Sequence, residues 1–353
     1  MLHARPGEGR SVSGSLSEKE RLLLTLSGRK VDRAPVICPG GMMTMASREV
    51  MRETGHRWPE AHRDPHRMAA LSLAMRAATG LENLGSPFCM TVEAEAWGGE
   101  VEDGDEVTPP SVLAYPLESV REWPKLRALD PRRDGRLPAV LECTRLLRAE
   151  ERETPIVANL VGPTSLATSL LDATTFYREL RAEPDAVRSL LGFLAENEIR
   201  YGEALCGAGA DLIVIADPSA TGEILGPKNF RHLAAPTLGA MVQAMHRRGV
   251  PTIVHICGDV RPIYSALADL DADALSIDSI VSVREMQRAL PSARIMGNVS
   301  TLLLEEGPVE RVSEVARRTV EAGVAILAPA CGVGAKTPVA HLRAMAGAVR
   351  PAA

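Results

Sequence analysis

The residues from 211 to 256 read DLIVIADPSATGEILGPKNFRHLAAPTLGAMVQAMHRRGVPTIVHI. An apolar run at 211–216 is followed by an amphipathic stretch of helical length at 230–248 and then by a second apolar run at 252–256. Two apolar runs joined by a helix are typical of a βαβ unit, in which the two strands are parallel. This stretch therefore predicts an α/β fold built on a parallel sheet.

The same alternation of strand-like and helix-like stretches recurs over most of the chain. Further apolar runs of strand length lie at 34–38, 155–161, 274–277, 294–296 and 325–327. Near-continuous apolar runs are typical of strands that are covered by helices on both faces of a sheet. Repetition over so much of the chain favours closure of the sheet, so we predict a (β/α)8 TIM barrel.

The domain organisation is predicted to be simple. Residues 1–15 are rich in Gly, Ser and Arg and are expected to be a flexible tail, after which Ser17 and Glu20 form a capping box for an N-terminal helical extension. Residues 92–138 interrupt the alternation and predict an inserted hairpin and loop near one mouth of the barrel. The remainder is expected to form one barrel domain over residues 16–353.

The composition argues against several classes of protein. Forty Lys and Arg residues against 45 Asp and Glu residues leave a formal charge of -5, which disfavours a nucleic-acid partner. The chain has no run of eighteen apolar residues and a polar N-terminal stretch, so we expect neither a membrane span nor a signal peptide, and a cytoplasmic location. Six scattered cysteines in so long a chain are expected to be reduced thiols, available as metal ligands.

Three potential metal ligands fall at the ends of two predicted strands. Alternation along the strand that ends in VHICG puts His255 and Cys257 on the same face. The run 325–329 delivers Cys331 to the same rim, because the carboxyl ends of barrel strands meet at one mouth. Nitrogen and sulfur ligands suit Zn(II), and three protein ligands leave the fourth position open, as a catalytic zinc requires. The sequence therefore predicts a catalytic zinc site.

A structural role for these residues is the alternative. Cys257 and Cys331 could be small buried hydrophobic residues, and His255 a hydrogen-bonded core histidine. Each cysteine is followed by a glycine, Gly258 or Gly332, where the backbone is expected to turn into a loop. The position at a turn favours the metal-binding alternative.

Polar residues at other strand ends are further candidates. Asp278 ends the run ALSI and is a candidate catalytic residue, either as a fourth zinc ligand, as a residue that orients His255, or as the cap of the next helix. Asp217 follows another strand and could position a substrate or form an Asx turn. After the first strand, Gly40 and Gly41 allow close approach of a ligand to the backbone beside Met42, or they form a tight turn.

Seven segments along nearly the whole chain carry a resemblance to known proteins. They are Cys38–Met43 (CPGGMM), Val92–Glu106 (VEAEAWGGEVEDGDE), Asn159–Ser169 (NLVGPTSLATS), Asp217–Pro227 (DPSATGEILGP), His255–Asp259 (HICGD), Gly297–Thr301 (GNVST) and Leu327–Pro338 (LAPACGVGAKTP). On these segments the chain resembles the methylcobamide:coenzyme M methyltransferases of the uroporphyrinogen decarboxylase superfamily. The resemblance implies a TIM barrel and a zinc ion held by His255, Cys257 and Cys331. The more distant cobalamin-independent methionine synthases carry an acidic ligand that is matched here by Asp278.

The resemblance also implies a reaction. We expect a zinc-dependent transfer of a methyl group from a methylated corrinoid, carried by a separate corrinoid protein, to a small thiol such as coenzyme M. The alternatives are a tetrahydrofolate acceptor or a lyase similar to uroporphyrinogen decarboxylase. That decarboxylase has an arginine-rich segment after its first strand, where this chain has GGMMTM at 40–45, so the lyase alternative is disfavoured.

Overall fold

The computed structural model describes residues 16–38 and 46–350, and the fold is defined by the strands of that part of the chain. In chain order the strands are β1 (Leu84–Ser86), β2 (Glu100–Glu102), β3 (Ser111–Ala114), β4 (Ile156–Val161), β5 (Leu212–Ala216), β6 (Thr252–Ile256), β7 (Ala274–Ile277), β8 (Ile295–Val299) and β9 (Ile326–Pro329). Seven of them form one parallel sheet in the order β1, β4, β5, β6, β7, β8, β9. The other two, β2 and β3, form an antiparallel hairpin.

Helices fill the connections between the strands of the parallel sheet. The α-helices are α1 (Glu18–Leu26), α2 (Arg48–Thr54), α3 (Pro65–Thr79), α4 (Val92–Ala96), α5 (Leu137–Glu150), α6 (Pro163–Leu170), α7 (Ala173–Ala182), α8 (Pro184–Ala208), α9 (Gly226–Asn229), α10 (Ala235–Arg247), α11 (Tyr264–Ala268), α12 (Val283–Ala289), α13 (Thr301–Glu306), α14 (Val309–Glu321) and α15 (Val339–Gly347). A π-helical turn at Phe230–Ala234 joins α9 to α10, and 3-10 turns lie at Glu60–His62, Val120–Lys125, Pro218–Ala220 and Arg261–Ile263. None of the helices in the described ranges has the length and apolarity needed to cross a bilayer.

The side chains of the strands alternate between two hydrophobic clusters. Val214 and Ile253 belong to an inner cluster that also receives Leu22 and Leu26 from α1. Ile213, one residue from Val214, belongs to a larger outer cluster that includes residues of the surrounding helices. A parallel sheet that encloses one cluster and carries helices around the other is curled, with the carboxyl ends of its strands at one rim.

The two edges of the curled sheet approach each other through the segment predicted as the first strand. Val36 forms an isolated parallel bridge with Leu327 of β9, and the Ile37 N–H donates to the Leu327 carbonyl over 3.1 Å. On the other side, the Glu82 N–H, just before β1, donates to the Val36 carbonyl over 2.8 Å. The predicted α/β fold with a parallel sheet is confirmed. Seven strands of the predicted eight-stranded barrel are formed, and the eighth position is a single bridge.

The structure shows the N-terminal helix and the insertion. The Ser17 hydroxyl accepts from the Glu20 N–H over 3.2 Å, and the Glu20 carboxylate accepts from the Ser17 N–H over 2.9 Å, so the capping box of α1 is formed. The predicted tail at 1–15 lies outside the described residues. The predicted insertion at 92–138 contains the β2–β3 hairpin, although it begins with the helix α4.

Two glutamates are buried where α4 and α8 enter the core. Glu93 of α4 and Glu198 of α8 are each 1% exposed, and both carboxylate oxygens of Glu198 and one of Glu93 have no hydrogen-bond partner. Burial raises the pKa of Glu93 from its usual 4.5 to about 7, and Cys89 acts in the same direction while Arg136 opposes it. Burial, with the charge of Glu93, raises the pKa of Glu198 well above its usual value, and the hydroxyl of the buried Tyr201 is also without a partner. The folded chain therefore holds protons here that the unfolded chain releases.

This burial predicts a pH dependence of stability. Because the folded form of Glu93 keeps its proton between pH 4.5 and about 7 while the unfolded form loses it, the free energy of unfolding should fall as pH rises through that window. Glu93→Gln cannot ionise, so its stability relative to the wild type should increase by about 3 kcal/mol across the window. Urea unfolding at a series of pH values measures this difference. Glu196→Gln on the exposed side of α8 is the control, and a difference between wild type and Glu93→Gln that is constant with pH would contradict the prediction.

Candidate metal centre

The strands β6 and β9 bring two cysteines and a histidine together at the rim of the sheet. His255 lies in β6 and is 2% exposed, while Cys257 follows the last residue of that strand. Cys331 follows β9 by two residues. Two strands, β7 and β8, separate β6 from β9 in the sheet, so the curvature of the sheet brings these side chains into contact. No disulfide joins any of the six cysteines, all of which lie in the described ranges.

The donor atoms of the three residues have the spacing of a metal site. The His255 Nε2 lies 3.0 Å from the Cys257 Sγ, which lies 3.7 Å from the Cys331 Sγ, and all three donor atoms are within 4.8 Å of one another. Tetrahedral zinc with Zn–S bonds of about 2.3 Å would separate two sulfurs by about 3.8 Å. The donor types therefore suit zinc, and the distance between the two sulfurs fits it. In the part of the chain that the structure describes, no other three His, Cys, Asp or Glu side chains come this close.

The surroundings of the two thiols disfavour their ionisation when no cation is bound. The hydrogen bond with Cys331, followed by burial, raises the pKa of the Cys257 thiol far above its ordinary value, and the charge of Asp278 adds to this effect. Two adjacent, partly buried thiols therefore cannot both ionise at neutral pH without a positive charge between them. A bound metal ion would supply that charge, since a coordinating thiol is deprotonated.

Asp278 lies near the three donors but its carboxylate is directed to the backbone. One oxygen, Oδ2, accepts from the Gly258 N–H over 3.0 Å. The other, Oδ1, accepts from the Ile280 N–H and the Ser279 hydroxyl, each over 3.2 Å. Of its three predicted roles, capping of the next helix belongs instead to Ser282, whose hydroxyl accepts from within α12. A direct role of Asp278 in catalysis stays a prediction.

His255 has a partner that the sequence analysis did not single out. The Ser276 hydroxyl of β7 lies 2.9 Å from the His255 Nδ1, and both side chains are buried. The signal was available, because Ser276 is two residues before Asp278 and so lies on the same face of its strand. A serine in an apolar strand is, however, too common to be selected from sequence alone.

Asp217 is buried and anchors the start of α6. Its Oδ1 accepts from the Ser165 N–H and the Ser165 hydroxyl, each over 2.7 Å, and its Oδ2 accepts from the Thr164 N–H over 3.2 Å. Burial raises the pKa of Asp217 to about 6, and the hydrogen bonds from Ser165 and Thr164 oppose that rise. In the structure Asp217 thus holds the start of α6 through hydrogen bonds, and contact of Asp217 with a substrate stays a prediction. The other predicted substrate-binding residues, Gly40, Gly41 and Met42, lie outside the described residues.

Comparisons with known proteins agree on one family. Residues 17–351 match the family described as uroporphyrinogen decarboxylase (URO-D). Methylcobamide:CoM methyltransferase MtaA of Methanosarcina barkeri is 34% identical over 336 residues, which cover 94% of this chain and 96% of that protein. Methylcobamide:CoM methyltransferase MtbA of Methanosarcina acetivorans is 32% identical over 329 residues, covering 93% of this chain and 96% of that protein.

A solved structure supports the same assignment. A methyltransferase from Methanosarcina mazei is 33% identical in sequence and superposes with a TM-score of 0.89. The match covers 95% of this chain and 98% of that chain. The predicted resemblance and the predicted enzyme class, a methyltransferase, are confirmed by these relatives. The chain therefore belongs to the uroporphyrinogen decarboxylase family, within its group of methylcobamide:CoM methyltransferases.

Proposed function

We propose that this protein is a zinc-dependent methyltransferase that moves a methyl group from a protein-bound methylated corrinoid to a small thiol such as coenzyme M. The observation that carries the proposal is the convergence of His255, Cys257 and Cys331 at the rim of the sheet, with donor atoms within 4.8 Å of one another. The names of the relatives supply the methyl donor and the acceptor, since they describe a methylcobamide and coenzyme M.

The three donors suit the chemistry of a thiol acceptor. When bound, zinc would lower the pKa of the acceptor thiol and hold it as a thiolate, without redox chemistry beside cobalt. His255, Cys257 and Cys331 are the residues that would hold the ion. Two thiolates and a neutral imidazole balance the charge of the ion, and this balance keeps a thiolate acceptor electron-rich. Three protein donors also leave one of four tetrahedral positions for the acceptor.

The proposed reaction is a balanced transfer of a methyl cation equivalent. The thiol first loses its proton to solvent, and its sulfur then forms a bond to the methyl carbon. As that bond forms, the carbon–cobalt bond breaks and its electron pair remains on cobalt. The products are a methyl thioether, a cob(I)amide and one proton, and no external oxidant or reductant is needed.

The rim also carries features that suit a protein partner. Five large hydrophobic side chains of the described residues are more than two-fifths exposed. Ile224, Ile280 and Leu302 lie in the connections that leave the carboxyl ends of β5, β7 and β8, while Leu113 and Tyr115 belong to the β2–β3 hairpin region. We propose that the corrinoid protein docks at the rim that carries the three donors, where its cofactor would reach the zinc ligands, with exposed apolar side chains of these connections among its contacts, and that the reaction takes place in the cytoplasm.

We also propose that the curled sheet is a closed eight-stranded barrel forming a single domain over residues 16–353. Hydrogen bonds from both sheet edges to the segment around Val36 support closure. A closed barrel would hold the rim residues in a fixed arrangement, as a site built from several strands requires.

Removal of the metal tests the proposed function directly. The purified protein should contain about one zinc per chain and should demethylate methylcobalamin in the presence of coenzyme M, with formation of cob(I)alamin followed by absorbance and of the thioether by mass spectrometry. Dialysis against a chelator should remove both the zinc and the activity, and added zinc should restore both.

Three results would overturn the proposal. They are full activity of the zinc-free protein, methyl transfer to tetrahydrofolate with no transfer to any thiol, and decarboxylation of a porphyrinogen without methyl transfer. A panel of thiols tested in parallel identifies the acceptor, because a thiol without the sulfonate of coenzyme M separates recognition of the sulfur from recognition of the rest of the molecule.

A further inference from the structure

Strand β7 contacts both ligands that β6 supplies. In the sheet Ser276 is the register partner of His255. Its hydroxyl lies 2.9 Å from the His255 Nδ1. Two residues after Ser276, directly past the end of β7, the Asp278 carboxylate accepts from the N–H of Gly258, the residue directly after Cys257. The strand β7 and the residue that follows it therefore hold the imidazole of one ligand and the backbone beside the other.

The contact with Ser276 engages Nδ1 and leaves Nε2 as the nitrogen of His255 that faces Cys257. A serine hydroxyl can donate or accept and a neutral imidazole carries one proton, so the tautomer that suits a metal on Nε2 is the one in which Nδ1–H donates to the serine oxygen. The lone pair is then on Nε2, the nitrogen that lies 3.0 Å from the Cys257 Sγ. The same hydrogen bond fixes the rotation of the ring, because Ser276 is only 3% exposed and is held in the sheet.

The contact with Asp278 fixes the turn that carries Cys257. Gly258 has φ +75°, a conformation that other residues rarely adopt, and an added Cβ would lie 2.9 Å from the Thr221 hydroxyl. In this constrained turn the Gly258 N–H donates to the Asp278 Oδ2 over 3.0 Å. The loop of Asp278 is itself held from β8, since the Asn298 side-chain amide donates to the Asp278 carbonyl over 2.9 Å. Both carboxylate oxygens of Asp278 are occupied by loop donors.

We propose that Ser276 and Asp278 are positioning residues of the metal centre: Ser276 sets the tautomer and rotation of His255, Asp278 holds the turn after Cys257, and neither contacts the metal. This inference rests on the proposed zinc function. Hydrogen bonds to the distal nitrogen of a metal-binding histidine generally orient the ring, and their loss costs about 10- to 100-fold in metal affinity.

The first test measures the tautomer and the metal affinity separately. In the metal-free protein, the ¹⁵N chemical shifts of His255 should show a proton on Nδ1, and Ser276→Ala should give a mixture of tautomers. Competition with a chelator of known affinity should show zinc binding weakened about 10- to 100-fold in Ser276→Ala, with recovery in Ser276→Thr, which keeps a hydroxyl. The matched control is Thr252→Val, because Thr252 of β6 has a buried hydroxyl without a partner and should not affect zinc.

The second test separates a positioning role of Asp278 from metal ligation. Asp278→Asn keeps a side-chain oxygen that can accept from the Gly258 N–H, so its zinc affinity should stay within about threefold of the wild type, while Asp278→Ala should lose about 10-fold or more. If Asp278 were a ligand, Asn and Ala would weaken zinc binding equally, and that result would overturn its assignment.

Failure of the inference can be told apart from failure of the proposed function. If the wild type binds zinc, the role of Ser276 would be overturned by an unchanged His255 tautomer in Ser276→Ala, or by a zinc affinity of Ser276→Ala equal to that of the wild type. A wild type that binds no zinc but shows the expected tautomers would overturn the proposed function and leave the hydrogen-bond assignment intact.

Discussion

Cys331→Ala is expected to lose its zinc and to lower kcat/KM for methyl transfer to a thiol on the order of a thousandfold. The variant keeps His255 and Cys257, which come from one short segment of β6, but it removes the donor that lies 3.7 Å from the Cys257 sulfur. Two remaining donors bind zinc weakly, and the acceptor thiol then keeps its proton at neutral pH. Elemental analysis and the methylcobalamin assay on the same preparation measure both effects.

A second cysteine variant controls for the loss of a thiol as such. Cys206 lies on α8 and its sulfur contacts the Met245 sulfur over 3.9 Å, far in sequence from the rim residues. Cys206→Ala should keep about one zinc per chain and wild-type activity. Retention of zinc and activity in Cys331→Ala would contradict the assignment of the metal centre, whereas loss of zinc with full activity would mean that the metal is structural.

Gly162→Ala is expected to destabilise the fold by about 3 kcal/mol or more. A Cβ at Gly162 would lie 2.3 Å from the Asp217 Cβ and 2.5 Å from its Cγ. The Asp217 carboxylate would have to move away from Ser165 and Thr164, and a buried charged group would lose its hydrogen bonds. Urea unfolding of Gly162→Ala and the wild type measures this loss, and the midpoint of the variant should be lower.

Two further variants identify the cause of this loss. In the background of Asp217→Gly, which removes the Cβ, the Cγ and the carboxylate, the clash is relieved, so adding Gly162→Ala should cost less than about 1 kcal/mol, a strong departure from additivity. Gly192→Ala is the control, because Gly192 lies in α8 with no atom within 4 Å of an added Cβ, and alanine should favour that helix. Equal costs of Gly162→Ala with and without Asp217 would show that the contact with Asp217 is not the cause.

The fold could be predicted largely because apolar runs mark most of its parallel strands. The runs around β4, β5, β6 and β7 are predicted within one or two residues, since each strand is buried on both faces. β1 was missed because Leu84–Ser86 is short and has no apolar run. A side chain of α3 helps to hold this strand, since the Ser72 hydroxyl accepts from the Gly85 N–H of β1 over 3.0 Å.

The insertion contains the predicted hairpin and, in addition, helical segments. Residues 92–138 are predicted to form a hairpin and loop, and the structure has the β2–β3 hairpin there, but the segment opens with the helix Val92–Ala96 and includes the 3-10 turn Val120–Lys125. The sequence of the helix, VEAEA, has two acidic residues that suggest an exposed segment. Glu93 is nevertheless buried, and its carboxylate accepts from the N–H of Val161 at the end of β4 over 3.2 Å. A tertiary contact of this kind leaves no local signal in the sequence.

The convergence of the candidate ligands could be predicted, but the residues that form hydrogen bonds with them could not. Strand alternation and the common rim of parallel strands were enough to place His255, Cys257 and Cys331 together. The partners of these residues depend on the register between β6 and β7, which sequence patterns do not specify. Strand alternation puts Ser276 on the same face as Asp278, but only the register pairs it with His255, and a serine in an apolar strand is too common to be selected without that pairing. Asp278 was assigned three roles without its actual contact, the Gly258 N–H.

The wide separation in sequence between the two sulfurs links metal content to the folding of half the sheet. Cys257 and Cys331 are 74 residues apart, and an ion between them would cross-link β6 to β9. Such an ion can bind tightly only after the intervening strands have assembled, so its apparent affinity includes part of the free energy of folding. A substitution in β7 or β8 that never touches the ion would therefore yield zinc-poor protein, and the metal content of a preparation would report how much of it is correctly folded.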